Sequence, residues 1–327
     1  MLLDDTDQKL LSRLQTGLPL TGKPYAALGS ELGIDQGQVI HRIEELKAKG
    51  IVRQISPVLD ARKLGYQSTL VAMKVADKHL KEAERLIREH PGVSHGYERD
   101  HDFNIWVTLA IPPATEMAIA LKQLTNSVKA EAAFTLPAVK LFKIRAYFAM
   151  DGEAQSEADT TASSQSPLPQ EVELSAIDKA IINVLQEDLP LVSSPFTPLA
   201  EQTGMDLDDF LAGCQSLRQR GVMRRYAAAV NHRRAGFKAN AMTCWVAPPE
   251  RVDAVGRKLA LLREVSHCYE RRTNPLWRYN LFAMIHGHSR NVCQEIVDEI
   301  SRETALMDYV LLYSTKEFKK TRIKYLV

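Results

Sequence analysis

Two short stretches carry the side chains best suited to chemistry. SHGYER (Ser94 to Arg99) and SHCYER (Ser266 to Arg271) share five of six residues. If each lies on a β-strand, successive side chains alternate between faces. One face of Val93 to Arg99 then carries Val93, His95, Tyr97 and Arg99, and the other Ser94, Gly96 and Glu98. The second copy sets His267, Tyr269 and Arg271 against Ser266, Cys268 and Glu270. Neither face is apolar, although the neighbouring stretch Phe103 to Ile111 is strongly so. The pattern reads as an open face lining a cleft. Arginine holds a carboxylate through paired hydrogen bonds, histidine gives or takes a proton near neutral pH, and a tyrosine hydroxyl can orient a carboxylate or donate a proton. Together they suit an acidic substrate. On the residues alone, a satisfied polar network at a dimer interface stands as an equal alternative.

Further cations lie nearby. His101 sits in the turn Asp100-His101-Asp102, as a solvated turn residue or as an iron ligand. FKIR (Phe142 to Arg145) and FKKTRIK (Phe318 to Lys324) place Lys143, Arg145, Lys320 and Arg322 on extended segments. These charges either protect an exposed strand edge or add carboxylate clamps.

The elements that position these groups come in two copies. The chain repeats itself at an offset of 171 residues, pairing Asp7 with Asp178, Gly50 with Gly221, Arg53 with Arg224 and Tyr66 with Phe237. After a one-residue drift Ser94 to Arg99 matches Ser266 to Arg271, FNIW (Phe103 to Trp106) matches YNLF (Tyr279 to Phe282), and Lys143 and Arg145 align with Lys320 and Arg322. So long a period means duplicated domains rather than a solenoid. In each copy, helices such as 5–16 and Gln36 to Lys49, ended by Gly50, precede a short strand, Ile51 to Val58: a winged helix-turn-helix. A strand (Ser68 to Val75), a helix (Lys78 to His90), a hairpin, a helix (Thr115 to Lys129) and a last strand (Ala133 to Leu141) follow, in the order βαββαβ. The fold class is α+β, with boundaries at 1–62, 63–150, 172–233 and 234–327. Residues 151–171 are acidic and poor in core formers, and read as a flexible linker.

A net charge of +2 offers no global basic excess for nucleic acid. The first copy's recognition helix offers Asp35, Gln36, Gln38, His41 and Arg42, whereas the second places Asp206, Asp208 and Asp209 where phosphates would come. DNA binding is therefore not expected. No apolar run reaches membrane-spanning length, the start MLLDDTDQKL is unlike a signal peptide, and the four cysteines form no CxxC pair. These features read as a cytoplasmic protein with reduced thiols.

GVSHGYERDHDFNIWVTL (Gly92 to Leu109) resembles the signature of the sirohaem decarboxylases, Lrp/AsnC-like proteins of the haem d1 and alternative haem pathways that occur as paired subunits or fused chains. The resemblance covers nearly the whole chain, twice, in the fused form. It implies removal of the acetate carboxyls on C12 and C18 of sirohaem to give didecarboxysirohaem, with no added cofactor and with iron present only in the substrate. The side-chain chemistry fits that reaction, with His95 or His267 expected to supply the proton and Tyr97 or Tyr269 to assist as catalytic residues. Arg99, His101, Asn104, Trp106, Lys143, Arg145, Arg271, Asn280, Lys320 and Arg322 would bind substrate, with His101 a candidate axial ligand. The second copy departs from the pattern by inserting Asn274 to Arg278 and by having Phe282 in place of Trp106, so the halves need not be equally active. The competing expectations are an Lrp/AsnC-like regulator sensing an effector and a non-catalytic tetrapyrrole carrier. Pairing of fused chains into a homo-oligomer is also expected.

Overall fold

A computed structural model describes residues 3–144, 172–230, 239–262 and 264–325. The first helical unit contains α1 (Asp5–Thr16), α2 (Pro24–Leu32) and α3 (Gln36–Ala48), followed by strand β1 (Val52–Leu59). Local chemistry sets these ends. Asp4 caps α1 by accepting from the Asp7 amide, Asp35 forms a capping box with Gln38, and Gly33 takes the left-handed conformation that closes α2.

A first sheet unit follows, with β2 (Gln67–Lys74), α4 (Asp77–Glu89), β3 (Val93–Arg99), β4 (Ile105–Ile111), α5 (Met117–Ser127), β5 (Ala132–Leu136) and β6 (Ala138–Ile144). The second copy has α6 (Ala176–Leu185), α7 (Thr197–Thr203), α8 (Leu207–Gln219) and β7 (Met223–Val230). Its sheet unit has β8 (Ala239–Trp245), α9 (Pro249–Leu261), β9 (Val265–Arg271), β10 (Leu281–Gly287), α10 (Arg290–Thr304) and β11 (Tyr309–Lys320). The arrangement is the expected α+β duplication.

The two helical units share one core. Leu10, Leu11 and Leu14 of α1 are buried in the same cluster as Ile181, Ile182 and Leu185 of α6. Strands β1 and β7 pair antiparallel, so the wing of each copy completes the other. Arg42 and Gln36, which a DNA-reading α3 would need, are engaged within the protein. Arg42 binds Asp4 at 2.8 Å and Asp7 at 2.7 Å, and Gln36 donates to the Ser193 carbonyl. In the second copy Asp206 caps α8 by accepting from Asp209.

The remaining strands form one nine-stranded antiparallel sheet in the order β5-β2-β4-β3-β11-β8-β10-β9-β6. Where one last strand was expected, Pro137 divides β5 from β6, because proline has no amide proton for the ladder. The chain leaves β2 at this point, and β6 pairs with β9 of the other copy. Reciprocally, Tyr309 to Tyr313 of β11 pair with β8, and Ser314 to Lys320 pair with β3. Each copy thus lends its C-terminal arm to the other copy's histidine-bearing strand.

One side of each half packs on its own helices. Val71, Ala83, Ile87 and Val107 join one such core, and Ala241, Val255, Leu259 and Ile285 the other. The opposite sides meet in a third cluster, where Trp106, Phe134 and Leu136 pack with Met242, Cys244, Trp277, Phe282 and Leu312. Among the described residues no helix is long and apolar enough to cross a membrane. Phe237 and Arg145 lie outside the described residues.

Candidate functional site

The face carried by each His-Tyr-Arg strand is set by a bulge. Val93 pairs with Leu109 but His95 pairs with Thr108, leaving Ser94 as the extra residue. Val265 with Ile285 and His267 with Met284 leave Ser266 in the same place. This corrects the simple alternation. Val93 turns to the helical core beside Ile87, while His95, Tyr97 and Arg99 occupy the inner face. Gly96 shows the polarity of the strand, since a Cβ there would come within 2.7 Å of Ile87 on α4. Cys268 likewise points to α9, its thiol 3.7 Å from the Gly256 carbonyl.

The arginines lie at one end of this inner stripe. Arg99, 5% exposed, donates from Nη1 to the Leu312 carbonyl at 2.8 Å and to Ser314 Oγ at 3.2 Å. Arg271 donates from Nη1 to the Leu136 carbonyl at 2.7 Å. Each guanidinium stacks on its own strand's tyrosine, Tyr97 at 5.5 Å and Tyr269 at 4.7 Å. In both, Nε is buried without a hydrogen-bond partner, and among the described residues neither arginine has a carboxylate within ion-pair distance. Burial pulls the Arg99 guanidinium down to about 10 and lowers Arg271 in the same sense. A buried cation without a counter-charge is costly to the free protein. Both cations act on buried Cys244, and an anion placed between them would offset that cost.

The histidines lie at the other end. His95 Nδ1 is 2.9 Å from Ser94 Oγ, and His267 Nδ1 is 2.8 Å from Ser266 Oγ. Burial, with the charges of Lys320, His267 and Arg53, pushes His95 down to about 3. Burial, with Lys320, Arg271 and Lys143, pushes His267 down to about 4. Lys320 acts on both rings, so the histidines of the two copies share one electropositive neighbourhood. Both are neutral at pH 7 in the free protein, and a bound polyanion would reverse that bias. Along one strand the histidine and arginine are separated by about 13 Å, at roughly 3.3 Å per residue. That span suits a large polyacid rather than a single small carboxylate.

Other candidates are engaged with backbone carbonyls and amides or with the core. Asn104 exchanges two hydrogen bonds with the Val75 backbone, at 3.0 and 2.8 Å. Asn280 does the same with Ala247, at 2.8 Å each way. Their amides tie the hairpins to the ends of β2 and β8. Trp106 is 1% exposed and donates to the Phe103 carbonyl at 2.7 Å, so it is a wall of the inner cluster. Lys143 Nζ donates to the Leu262 carbonyl at 2.6 Å, at the end of α9. Its structural counterpart is Lys319, which donates to the His90 carbonyl at the end of α4. The pairs Lys143 with Cys268 and Lys319 with Gly96 fix this register. The sequence alignment of Lys143 with Lys320 is therefore one residue out. Lys320 itself pairs with His95, and its counterpart is Ile144. Arg322 leaves the site altogether and donates to Ser56, Pro57 and Ala227 in the β1–β7 ribbon.

His101 lies beyond the arginine end of the strand. Its Nδ1 accepts from the Phe103 amide at 3.0 Å, and its ring meets Trp277 edge-on at 5.4 Å. Trp277 comes from the insertion in the second copy and packs on Trp106 at 5.1 Å and Phe134 at 5.6 Å. Sequence reasoning missed one group. His286 on β10 is 8% exposed and lies 2.6 Å from Ser266 Oγ, and its other nitrogen lies 2.6 Å from Asn240 Oδ1. A histidine inside the apolar run LFAMIHG was the available signal. Among the described residues no group of three or more His, Cys, Asp or Glu side chains could hold a metal ion.

Comparison with known proteins agrees with this architecture. The model of the AsnC-like ligand binding domain matches residues 63–143 and 234–319, and that of the siroheme decarboxylase NirDL-like HTH domain matches 7–53 and 178–224. The siroheme decarboxylase of Hydrogenobacter thermophilus is 41% identical over 97% of this chain and 94% of its own. The NirDL subunit of Paracoccus denitrificans is 32% identical over 98% of this chain and 97% of its own. The crystal structure of the siroheme decarboxylase NirDL superposes with a TM-score of 0.75 at 37% identity, covering 99% of this chain and 95% of that one. The same enzyme has been solved with an iron-uroporphyrin III analogue. This chain belongs to the siroheme decarboxylase family, in its fused single-chain form.

Proposed function

We propose that this chain is a carboxy-lyase that removes the acetate carboxyls on C12 and C18 of sirohaem, giving didecarboxysirohaem for haem d1 or alternative haem synthesis. The observation that carries the reading is the pair of buried guanidiniums, Arg99 and Arg271. Among the described residues they lack acid partners, and they lie on the same inner face as His95 and His267. In each step the bond between the acetate methylene and its carboxylate breaks and CO2 leaves. The electron pair stays on the methylene carbon, which takes up one proton to become methyl. The balance calls for a proton and no electron acceptor.

Arg99 and Arg271 orient carboxylates, and Lys320 draws negative charge toward the histidines. His95 or His267, protonated once the polyanion is bound, supplies the proton, with Tyr97 or Tyr269 assisting. Burial favours loss of neutral CO2 from a charged carboxylate. His101 is within our proposal an axial ligand to the substrate's iron, from its place at the edge of the aromatic cluster. The four cysteines are free and buried, which fits a reducing cytoplasm.

Anaerobic incubation with sirohaem followed by product mass analysis tests the reading. The expected result is loss of two CO2 per macrocycle. A changed visible spectrum at unchanged mass would make the chain a carrier. Salt-dependent binding to a specific DNA, with sirohaem as effector and unchanged mass, would make it a regulator. The acids at the start of α8, with Asp206 as its cap, do not favour the regulator.

A further inference from the structure

We infer that His286 is a positioning residue for His267, acting through Ser266, and that the second copy alone holds its histidine in a fixed tautomer. The inference rests on the proposed decarboxylase reading for its catalytic consequence but not for its geometry. Three short contacts run in line: Asn240 Oδ1 to His286 Nδ1 at 2.6 Å, His286 Nε2 to Ser266 Oγ at 2.6 Å, and Ser266 Oγ to His267 Nδ1 at 2.8 Å. Ser266 and His286 are 4% and 8% exposed, so bulk water does not compete freely for these bonds.

The chain has a direction. An amide oxygen only accepts, so His286 Nδ1 carries a proton. In a neutral imidazole the other nitrogen, Nε2, then accepts, and it takes the Ser266 hydroxyl proton. The Ser266 oxygen is left to accept from His267 Nδ1. His267 Nε2 is the nitrogen that remains to gain a proton and pass it on. The titratable and charged neighbours that act on His286 are His267 and Lys320, both cationic or potentially so, and with burial they keep it neutral.

The first copy lacks this device. His95 Nδ1 contacts Ser94 Oγ at 2.9 Å in the same bulge. The position of His286, paired with Asn240 on the neighbouring strand, is taken by Ala110, paired with Ser68. Alanine neither donates nor accepts through its side chain, so nothing at that position orients the Ser94 hydroxyl. His95 can adopt either tautomer. His267 is consequently the better-organised proton donor, and the half-reaction it serves is the faster one.

The test uses the full-length protein labelled with 15N-histidine, free of substrate, with His267 assigned by difference from His267→Asn. The expected spectrum has His267 as one tautomer, protonated at Nδ1, and His95 as a mixture. His286→Ala should convert His267 to a mixture, and His286→Gln, which can both donate and accept, should restore much of the order. Steady-state decarboxylation should show kcat lowered about ten- to a hundredfold in His286→Ala, with KM changed less than about twofold, the usual scale for loss of an outer hydrogen-bond partner. Finding His267 protonated at Nε2 in the unaltered protein overturns the inference even if no variant folds. Finding its tautomer unchanged in a folded His286→Ala protein does so too. Ordered tautomers in a protein that releases no CO2 from sirohaem would instead remove the decarboxylase reading and leave the positioning intact.

Discussion

In the first half of the sheet, His95 meets a single serine and its strand is followed by a short hairpin turn. In the second half, His267 meets Ser266, His286 and Asn240 in line, and its hairpin carries the insertion that sends Trp277 back across the inner layer. What the halves retain is as informative. Both have the bulge before the histidine, the arginine donating to a carbonyl of a crossing or neighbouring strand, the asparagine locked to the backbone, and the lysine on a helix end. Duplication has preserved the part that aims side chains inward and has varied what lies behind them. A pseudo-symmetric frame that binds one substrate with two reacting groups gains from such divergence, because the acetates to be removed are not in equivalent positions on an asymmetric macrocycle.

The largest effect should come from removing both histidines. His95→Ala with His267→Ala is expected to lower decarboxylation by at least about a hundredfold, the lower end of what a general acid contributes. Of the single changes, His267→Ala should cost more than His95→Ala. Product mass analysis over time would read this as accumulation of a monodecarboxylated species. Equal rates in the two single variants would erase the functional difference between the halves.

Next come the arginines. Arg99→Met removes a buried cation that has no acid partner among the described residues, so the free protein should lose little stability while sirohaem binding weakens. A hydrogen bond to a charged group contributes about 1.5–3 kcal/mol, which is about a ten- to hundredfold loss of affinity in a spectral titration. Arg271→Met should behave alike, since both guanidiniums leave Nε unpaired. A large fall in Tm without substrate, with affinity unchanged, would make these arginines purely structural.

The insertion separates stability from chemistry. Trp277 is 3% exposed and packs on Trp106, Phe134 and Tyr279. Trp277→Ala should destabilise the protein by about 3–5 kcal/mol, the range for truncating a buried aromatic, measured by denaturant unfolding. His101, whose ring meets Trp277, should then change its environment in the same 15N spectrum.

Much of this was legible in the sequence. The internal repeat and the alternation of periods gave the two helix-turn-helix and βαββαβ units, because local patterning determines which elements form. The His-Tyr-Arg stripe was legible for the same reason. Less visible were features decided by partners distant along the chain. The bulge at Ser94 turns Val93 away from His95, and simple alternation does not foresee an extra residue. Ala133 to Leu141 read as one strand, so neither the break at Pro137 nor the pairing of β6 with β9 was foreseen. Asn104 stood beside the motif and looked like part of it, yet its amide is held by Val75, 29 residues away. His286 lay in a strand too apolar to draw notice, and only its contact with Ser266 gives it a role.

Acidification should unfold the free protein earlier than carboxylates alone would require. His95, His267 and His286 are held down to about 3, 4 and 3 by burial and nearby cations, below the ordinary value of about 6.5. Above pH 6.5 neither the folded nor the unfolded state protonates them, and they have no effect on stability. Between about pH 6.5 and 4 the unfolded chain binds protons that the folded chain does not, so stability falls as pH falls. Urea unfolding over that window should show a slope that weakens in His95→Asn with His267→Asn. Bound sirohaem should flatten it too, since its carboxylates allow the folded state to take up the same protons. A slope unaffected by either would mean that the rings are accessible to water rather than enclosed with Lys320.

The smallest effect distinguishes a clamp from a cap. Lys143 donates to the Leu262 carbonyl and Lys319 to the His90 carbonyl, each at the C-terminal end of a helix where carbonyls lack partners and the dipole favours a cation. Lys143→Met should therefore cost about 1 kcal/mol of stability and leave KM for sirohaem nearly unchanged, with Lys319→Met matching it. A lysine that held substrate would do the reverse, raising KM with little change in unfolding. Lys320→Met supplies the contrast. Paired with His95 and acting on both histidines, Lys320 should alter the pH dependence of decarboxylation more than Lys143, which acts on His267 alone, and more than Lys319, which acts on neither. If Lys143 shifted that profile as much as Lys320, the one-residue register that separates them would have no functional meaning, and the two copies would be aligned through their lysines after all.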